Sequence, residues 1–402
     1  MSAVTVLHGA RVLDGTGGPA VLCDVEITAG DITRVAAGIA GGDHRVDLTG
    51  HTLIPGFIDT HVHAGLSGVD PGKARTTPFS YPFHETARNL ALLVDCGITT
   101  ARDAGGADLG TQQAVRDGLI DGPDLRIAIS MLSQTGGHAD GWNVDGSCSP
   151  MFPAHPGRPA GVADGVDEVR RRVREIVRAG ADVIKVCTTG GVLSERDDPE
   201  HAHYTPEELR AVVSEAQAAH LPVMAHAQGR TGILNAIDAG VRSIEHGVFA
   251  DAECFERMRD RDVWLVPTLS APYQALRELE AGRIRLSERV EAKFRAVADI
   301  HTAMFRAAVS AGVRIAMGTD SGVFPHGRNL TELALMKRGG MAPERVLVAA
   351  TSAAAELLNL PDRGVIDVGR RADLVCVSGD PYDFDDLAER IAGVWRAGTR
   401  VR

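Results

Sequence analysis

Eight short apolar runs, each closed by polar residues and separated from the next by a helical pattern, constrain this chain's fold more than any other feature. In order they are TLIPGFIDTHVH, GITTARDAGG, LRIAISMLSQTGGH, ADVIKVCTTGG, LPVMAHAQG, VRSIEHGV, VWLVPTLS and VRIAMGTDSG. Thr205 and Glu208 make a capping box before PEELRAVVSEAQAAH, with Pro206 at its first helical position. Leu209, Val212, Val213 and Ala216 then recur at helical spacing. DEVRRRVREIVRAG repeats the device, with Val169, Val173, Ile176 and Val177 on one face and Gly180 as the stop. Apolar strands alternating with amphipathic helices make a parallel sheet covered on both faces. Eight such units predict an α/β fold, a (β/α)8 TIM barrel over residues 56–361; an open doubly wound sheet is the alternative.

The ends of the chain read differently. Residues 1–55 carry VTVLHGARVLDG and VEITAGDITRVAAG, and residues 362–402 carry RGVIDVGRRADLVCVSGDP and IAGVWRAGTRVR. These are short alternating strands between glycine turns, expected to pair into one small β-sandwich built from both termini. A net charge of −11 with no basic cluster argues against a nucleic-acid partner. No apolar run approaches the roughly 20 residues of a membrane span. The six cysteines form no C-x-x-C pair, and the N-terminus lacks the pattern of a secretion signal. A cytoplasmic enzyme with reduced thiols and a small-molecule substrate is the expectation, with a homo-oligomer left open.

In such a barrel the chemistry gathers where the strands end. His61 and His63 end the first run, His138 the third, His226 the fifth, His246 the sixth and Asp320 the eighth. Each has an ordinary reading alone: a turn pair, a satisfied core histidine, a helix cap. Lys185 is harder to explain away, because Val183, Ile184 and Val186 flank it in a strand with no route to water. Six such groups on matching strand ends are better explained together, as a metal site. Imidazole and carboxylate suit Zn²⁺ and tolerate Mn²⁺, Fe²⁺ or Co²⁺. A neutral lysine can take up CO2 to form a carbamate, an anion able to bridge two ions.

The stretches DTHVHAG, IKVCTTGG, AHAQG, IEHG and GTDSG, with the closing ATSAAAELLNLPDRGVIDVGRRADLVCVSGDP, resemble the amidohydrolase superfamily over nearly the whole chain. MLSQTGGHADG and the fourth-run lysine resemble its imidazolonepropionase-like branch, which contains binuclear Xaa-Pro and Xaa-Arg dipeptidases. The resemblance implies two divalent ions, zinc first among them. His61 and His63 would hold the deeper ion with Asp320, His226 and His246 the second, and carbamylated Lys185 would bridge them. It also implies a shared hydroxide as nucleophile, with Asp320 as general base then acid and His138 on the substrate carbonyl. Gln228 departs from several peptidase relatives, which carry Tyr or His at that place, and this bears on dipeptide specificity.

Substrate choice falls to the long loops GLSGVDPGKARTTPFSYPFHE, GWNVDGSCSPMFPAHPGRPAG and GGVLSERDDPEHAHY. Arg230 and Arg328 are candidates for a substrate carboxylate, and Tyr204, Gln228 and His326 for the mouth of the site. The leading expectation is binuclear hydrolysis of a peptide, N-acyl amino acid or carbamate C–N bond. The alternatives are a mononuclear cyclic-amidine deaminase or imidazolone ring hydrolase, or a lactone or organophosphate hydrolase on the same centre.

Overall fold

The computed structural model describes residues 3–68, 76–143, 145–192 and 197–402. The N-terminal segment forms β1 (Val4–Val12), β2 (Val21–Thr28), β3 (Asp31–Ala36), β4 (His44–Asp47) and β5 (His51–Pro55). The apolar runs follow as β6 (Phe57–Val62), β7 (Ile98–Asp103), β8 (Asp124–Ile127), β9 (Met131–Leu132), β10 (Ile184–Cys187), β11 (Val223–Ala227), β12 (Ser243–His246) and β13 (Trp264–Val266). β14 (Leu374–Ser378), β15 (Ile391–Arg396) and β16 (Thr399–Arg400) close the chain.

The two termini do meet. β14 runs antiparallel to β5, with Leu374 opposite Pro55 and Ser378 opposite His51. The strands join in one eight-stranded sheet. The branch point is β1, which pairs with β4 through Thr5–His8 and with β5 through Arg11 and Val12. Leu7, Ile27, Leu53, Leu374 and Trp395 then share one apolar cluster.

The apolar runs form two parallel sheets, β6–β7–β8 and β9–β10–β11–β12–β13. The third run is split at Ile129, whose φ is +66°. Its first part pairs with β7 and its second with β10, so one run passes from sheet to sheet. The eighth run makes no regular strand among the described residues. It forms parallel bridges from Ile315 to Leu265 and from Ser321 to Val62, which link the outer edges of the two sheets. It passes very tightly there: a Cβ at Gly318 would lie 2.3 Å from Val266 Cγ1 and 2.9 Å from His61 Cβ.

Helices cover the outside as their patterns require. Pro206–Ala218 has its capping box at Thr205 and Glu208, and Val166–Arg178 buries Val169, Val173 and Ile176. After β13 come Ser270–Glu280 and a 24-residue helix, Glu288–Ala311.

Candidate active site

Residues two apart on a strand share a face, so His61 and His63 leave the end of β6 together. Asp320 arrives from the eighth run with its Oδ1 3.4 Å from His61 Nε2 and 3.3 Å from His63 Nε2. Ligand atoms of these three groups all lie within 4.8 Å of one another. Burial would raise the Asp320 carboxyl, but the two imidazoles outweigh it and hold the group well below the usual carboxylate range.

Each histidine is braced from behind. His61 Nδ1 sits 2.7 Å from Glu245 Oε2, and Glu245 Oε1 accepts from Arg102 at 2.9 Å. Burial would lift the Glu245 carboxyl, but Arg102 and His61 bring it down to about 2. His63 Nδ1 donates to the Gly105 carbonyl at 2.9 Å, and His226 Nε2 to the Gly190 carbonyl at 3.0 Å. A carbonyl can only accept, so in the neutral ring the other nitrogen of each keeps its lone pair. His246 Nδ1 lies 2.7 Å from Thr268 Oγ1. The rings of His226 and His246 are 4.7 Å apart, and those of His61 and His246 5.1 Å. This is the arrangement that fixes imidazole tautomers around an ion. His61 Nε2 is buried with no hydrogen-bond partner among the described residues, so the donor set fits a cation.

Lys185 rises from β10 into the same space, 2% exposed and without an ion pair or hydrogen bond to its ammonium among the described residues. Burial pushes that ammonium below its ordinary range, with Glu245 pulling the other way. His138 stacks on His226 at 4.2 Å. Burial drives its imidazole down to about 4 against the pull of Asp197, so it is neutral at pH 7. Its place depends on Gly191, where a Cβ would fall 2.1 Å from His138 Cε1. His246, Thr268 and Asp320 all hold left-handed backbone, at φ +71°, +51° and +60°. Such strain collects at functional sites and is held there by surrounding structure.

These groups form the floor of a pocket. Its walls are apolar, with Met131, Met151 and Val248 on one part and Ala271, Phe294 and Val297 on another. The mouth residues expected from sequence divide. Gln228 lines the pocket. Tyr204 packs in the main core instead. His326 is buried between Ser321 Oγ and the Leu66 carbonyl, each at 2.9 Å. Arg230 turns to Asp251 and Glu253, and Arg328 to Glu278 at 2.6 Å, so neither guanidinium lines the pocket. Carboxylates supplied by neighbouring helices capture both. The three long loops run partly outside the described residues, at 69–75, 144 and 193–196.

Sequence reasoning missed Glu245, Arg102 and Thr268 behind the histidines, and the wall supplied by Glu288–Ala311. The rule that singled out Lys185, a charge inside an apolar strand, also applies to Arg102 and Glu245.

Comparison with known proteins is consistent with this geometry. The family model described as "Amidohydrolase family" matches residues 52–401. Ochratoxinase from Aspergillus niger is 33% identical, covering 98% of this chain and 86% of its own; its crystal structure superposes with a TM-score of 0.87. A Xaa-Pro dipeptidase structure, with methionine bound in its active site, is 32% identical over 100% of both chains with a TM-score of 0.90. Imidazolonepropionase from Cutibacterium acnes is 24% identical, covering 85% of this chain and 79% of its own.

Proposed function

Because the chain belongs to the amidohydrolase family and is a hydrolytic enzyme, we propose that it cleaves an amide C–N bond in a peptide, N-acyl amino acid or carbamate, using divalent metal ions. The observation that carries this reading is the convergence of His61, His63, Lys185, His226, His246 and Asp320 on one pocket, with a backing group behind each histidine. His61, His63 and Asp320 would hold one ion, His226 and His246 a second, and a carbamate on Lys185 would bridge them. Zinc suits the imidazole and carboxylate donors. When bound, the ions supply Lewis acidity that activates water near neutral pH.

The residues do the rest. Asp320 is ionised at neutral pH, so it can take a proton from the attacking water and return it to the leaving amine. His138, neutral and stacked on His226, donates a hydrogen bond to the substrate carbonyl as charge develops on its oxygen. The apolar walls receive the flanking groups of the substrate, with Gln228 at their edge. On this reading the two parallel sheets and the eighth run form the (β/α)8 barrel of residues 56–361, and residues 1–55 and 362–402 make the appended β domain. Six free thiols, five of them buried, accord with a cytoplasmic location.

The test is a hydrolysis screen of zinc-loaded protein grown with bicarbonate, set beside metal analysis. Xaa-Pro, Xaa-Arg, N-acyl amino acid, aryl amide and carbamate libraries should yield turnover with two ions per chain. One ion per chain with activity only on ring substrates would favour the mononuclear alternative, which the compact His61–His63–Asp320 group can also serve.

A further inference from the structure

One polar ring in the pocket wall has no part in that reaction. His301 lies on Glu288–Ala311 among the buried Val290, Phe294, Val297 and Met304, at helical spacing. It is 2% exposed and lines the pocket beside Phe294 and Val297. Its Nε2 is 3.0 Å from the backbone oxygen of His246. A carbonyl can only accept, so Nε2 carries the proton and Nδ1 keeps a lone pair. Nδ1 is buried and has no hydrogen-bond partner among the described residues. The Pro267 carbonyl also approaches this ring, but a second acceptor cannot satisfy a lone pair. The pocket wall therefore holds a buried acceptor beside Phe294 and Val297, in addition to Gln228 Oε1, which is likewise without a hydrogen-bond partner among the described residues. Leaving such an atom unpaired is costly, and a site built around one discriminates against ligands that cannot fill it.

We infer that His301 is a specificity-determining residue, whose Nδ1 accepts a hydrogen bond from an N–H or O–H on the apolar arm of the substrate. The substrate class is thereby narrowed to amides whose apolar arm carries one donor, such as a hydroxyaryl or an indole N–H. This rests on the amide-hydrolase reading above.

The test uses matched pairs on the full zinc-loaded chain: hydroxyaryl and indole amides of one amine against their O-methyl and N-methyl counterparts. Non-cleavable ketomethylene isosteres of the same pairs are measured by calorimetry. The wild type should favour the donor-bearing member by roughly 10- to 100-fold, both in kcat/KM and in affinity. His301→Phe keeps a ring in the wall and should bring that ratio close to one. His301→Gln supplies an N–H for the His246 carbonyl and an oxygen for the substrate, and should restore most of the preference. An equal ratio in wild type and His301→Phe overturns the inference, as does failure of the wild type to bind any isostere. Discrimination in binding without hydrolysis of either partner would keep the role of His301 and overturn the amide-hydrolase reading alone. Should His301→Phe not fold, the His301→Gln ratio and the wild-type preference decide between the same outcomes.

Discussion

The parallel strands carry buried charge at both ends, and the two ends treat it in opposite ways. At the end beside the terminal sheet, Arg363 reaches Asp124 at 2.6 Å and Asp362 at 2.8 Å, while Arg371 spans Asp124 at 3.0 Å and Asp373 at 3.1 Å. Asp124 opens β8, and the recess there is shared with Gly30 and Arg396 of the terminal sheet. Every charge in this cluster faces an opposite one. Burial alone would lower the Arg363 guanidinium, but the three carboxylates hold it above its ordinary range. At the other end, Lys185 has no ion pair and His61 Nε2 no hydrogen bond among the described residues. Charges paired in this way hold structure, although Arg371 Nε and Asp373 Oδ2 make no hydrogen bond among the described residues. A lysine with no counter-charge, set among braced histidines, is ready for a ligand.

The sharpest way to break this contrast is Lys185→Ala. It should lose metal and cut turnover by on the order of 10³-fold. Unchanged metal content and turnover would place Lys185 among the merely structural charges.

Glu332 extends the contrast to an acid with no ion pair among the described residues. It is fully buried and accepts from the backbone N–H groups of Leu269 at 2.9 Å and Ser270 at 2.6 Å, beside Thr268. Burial lifts its carboxyl from 4.5 to about 8. Between those values the folded protein keeps a proton that the unfolded chain has released. Stability should therefore fall as pH rises across that window, by roughly 4 kcal/mol. Urea unfolding at stepped pH checks this, and Glu332→Gln should remove the slope; an equal slope in the variant would assign it elsewhere.

At the paired end, Arg363→Met should cost about 3 kcal/mol, because it strands buried carboxylates. Metal content and kcat should stay within about twofold. Lost turnover at unchanged stability would erase the distinction between the ends. Gly191→Ala should do the reverse: its Cβ would occupy the space of the His138 ring. A drop in kcat/KM of roughly 10- to 100-fold with full metal content is the expected reading. The smallest effect belongs to Arg230→Gln. That side chain is 46% exposed in its pairs with Asp251 and Glu253, so less than about 0.5 kcal/mol should change. A large rise in KM would return Arg230 to the substrate.

How much of this was legible before folding follows from range. Strand ends, helix caps and the residues His61, His63, Lys185, His226, His246 and Asp320 are local signals, read from apolar runs and the polar groups that interrupt them. The partner of His61 is not local, since Glu245 lies 184 residues away. His301 reads from sequence as a buried position on a helical stripe, and nothing local tells that the stripe faces a pocket. Arg230 and Arg328 look available in sequence because the carboxylates that take them come from other elements.

The sequence by itself determined the alternation of strand and helix, the pairing of the two ends, and which side chains stand where the strands finish. Periodicity and burial decide those within a few residues. Only the tertiary structure decided which nitrogen of each histidine stays open, which arginines are already satisfied, and that His301 stands in a largely apolar wall. Each of those depends on which distant group arrives within about 3 Å, the reach of a hydrogen bond.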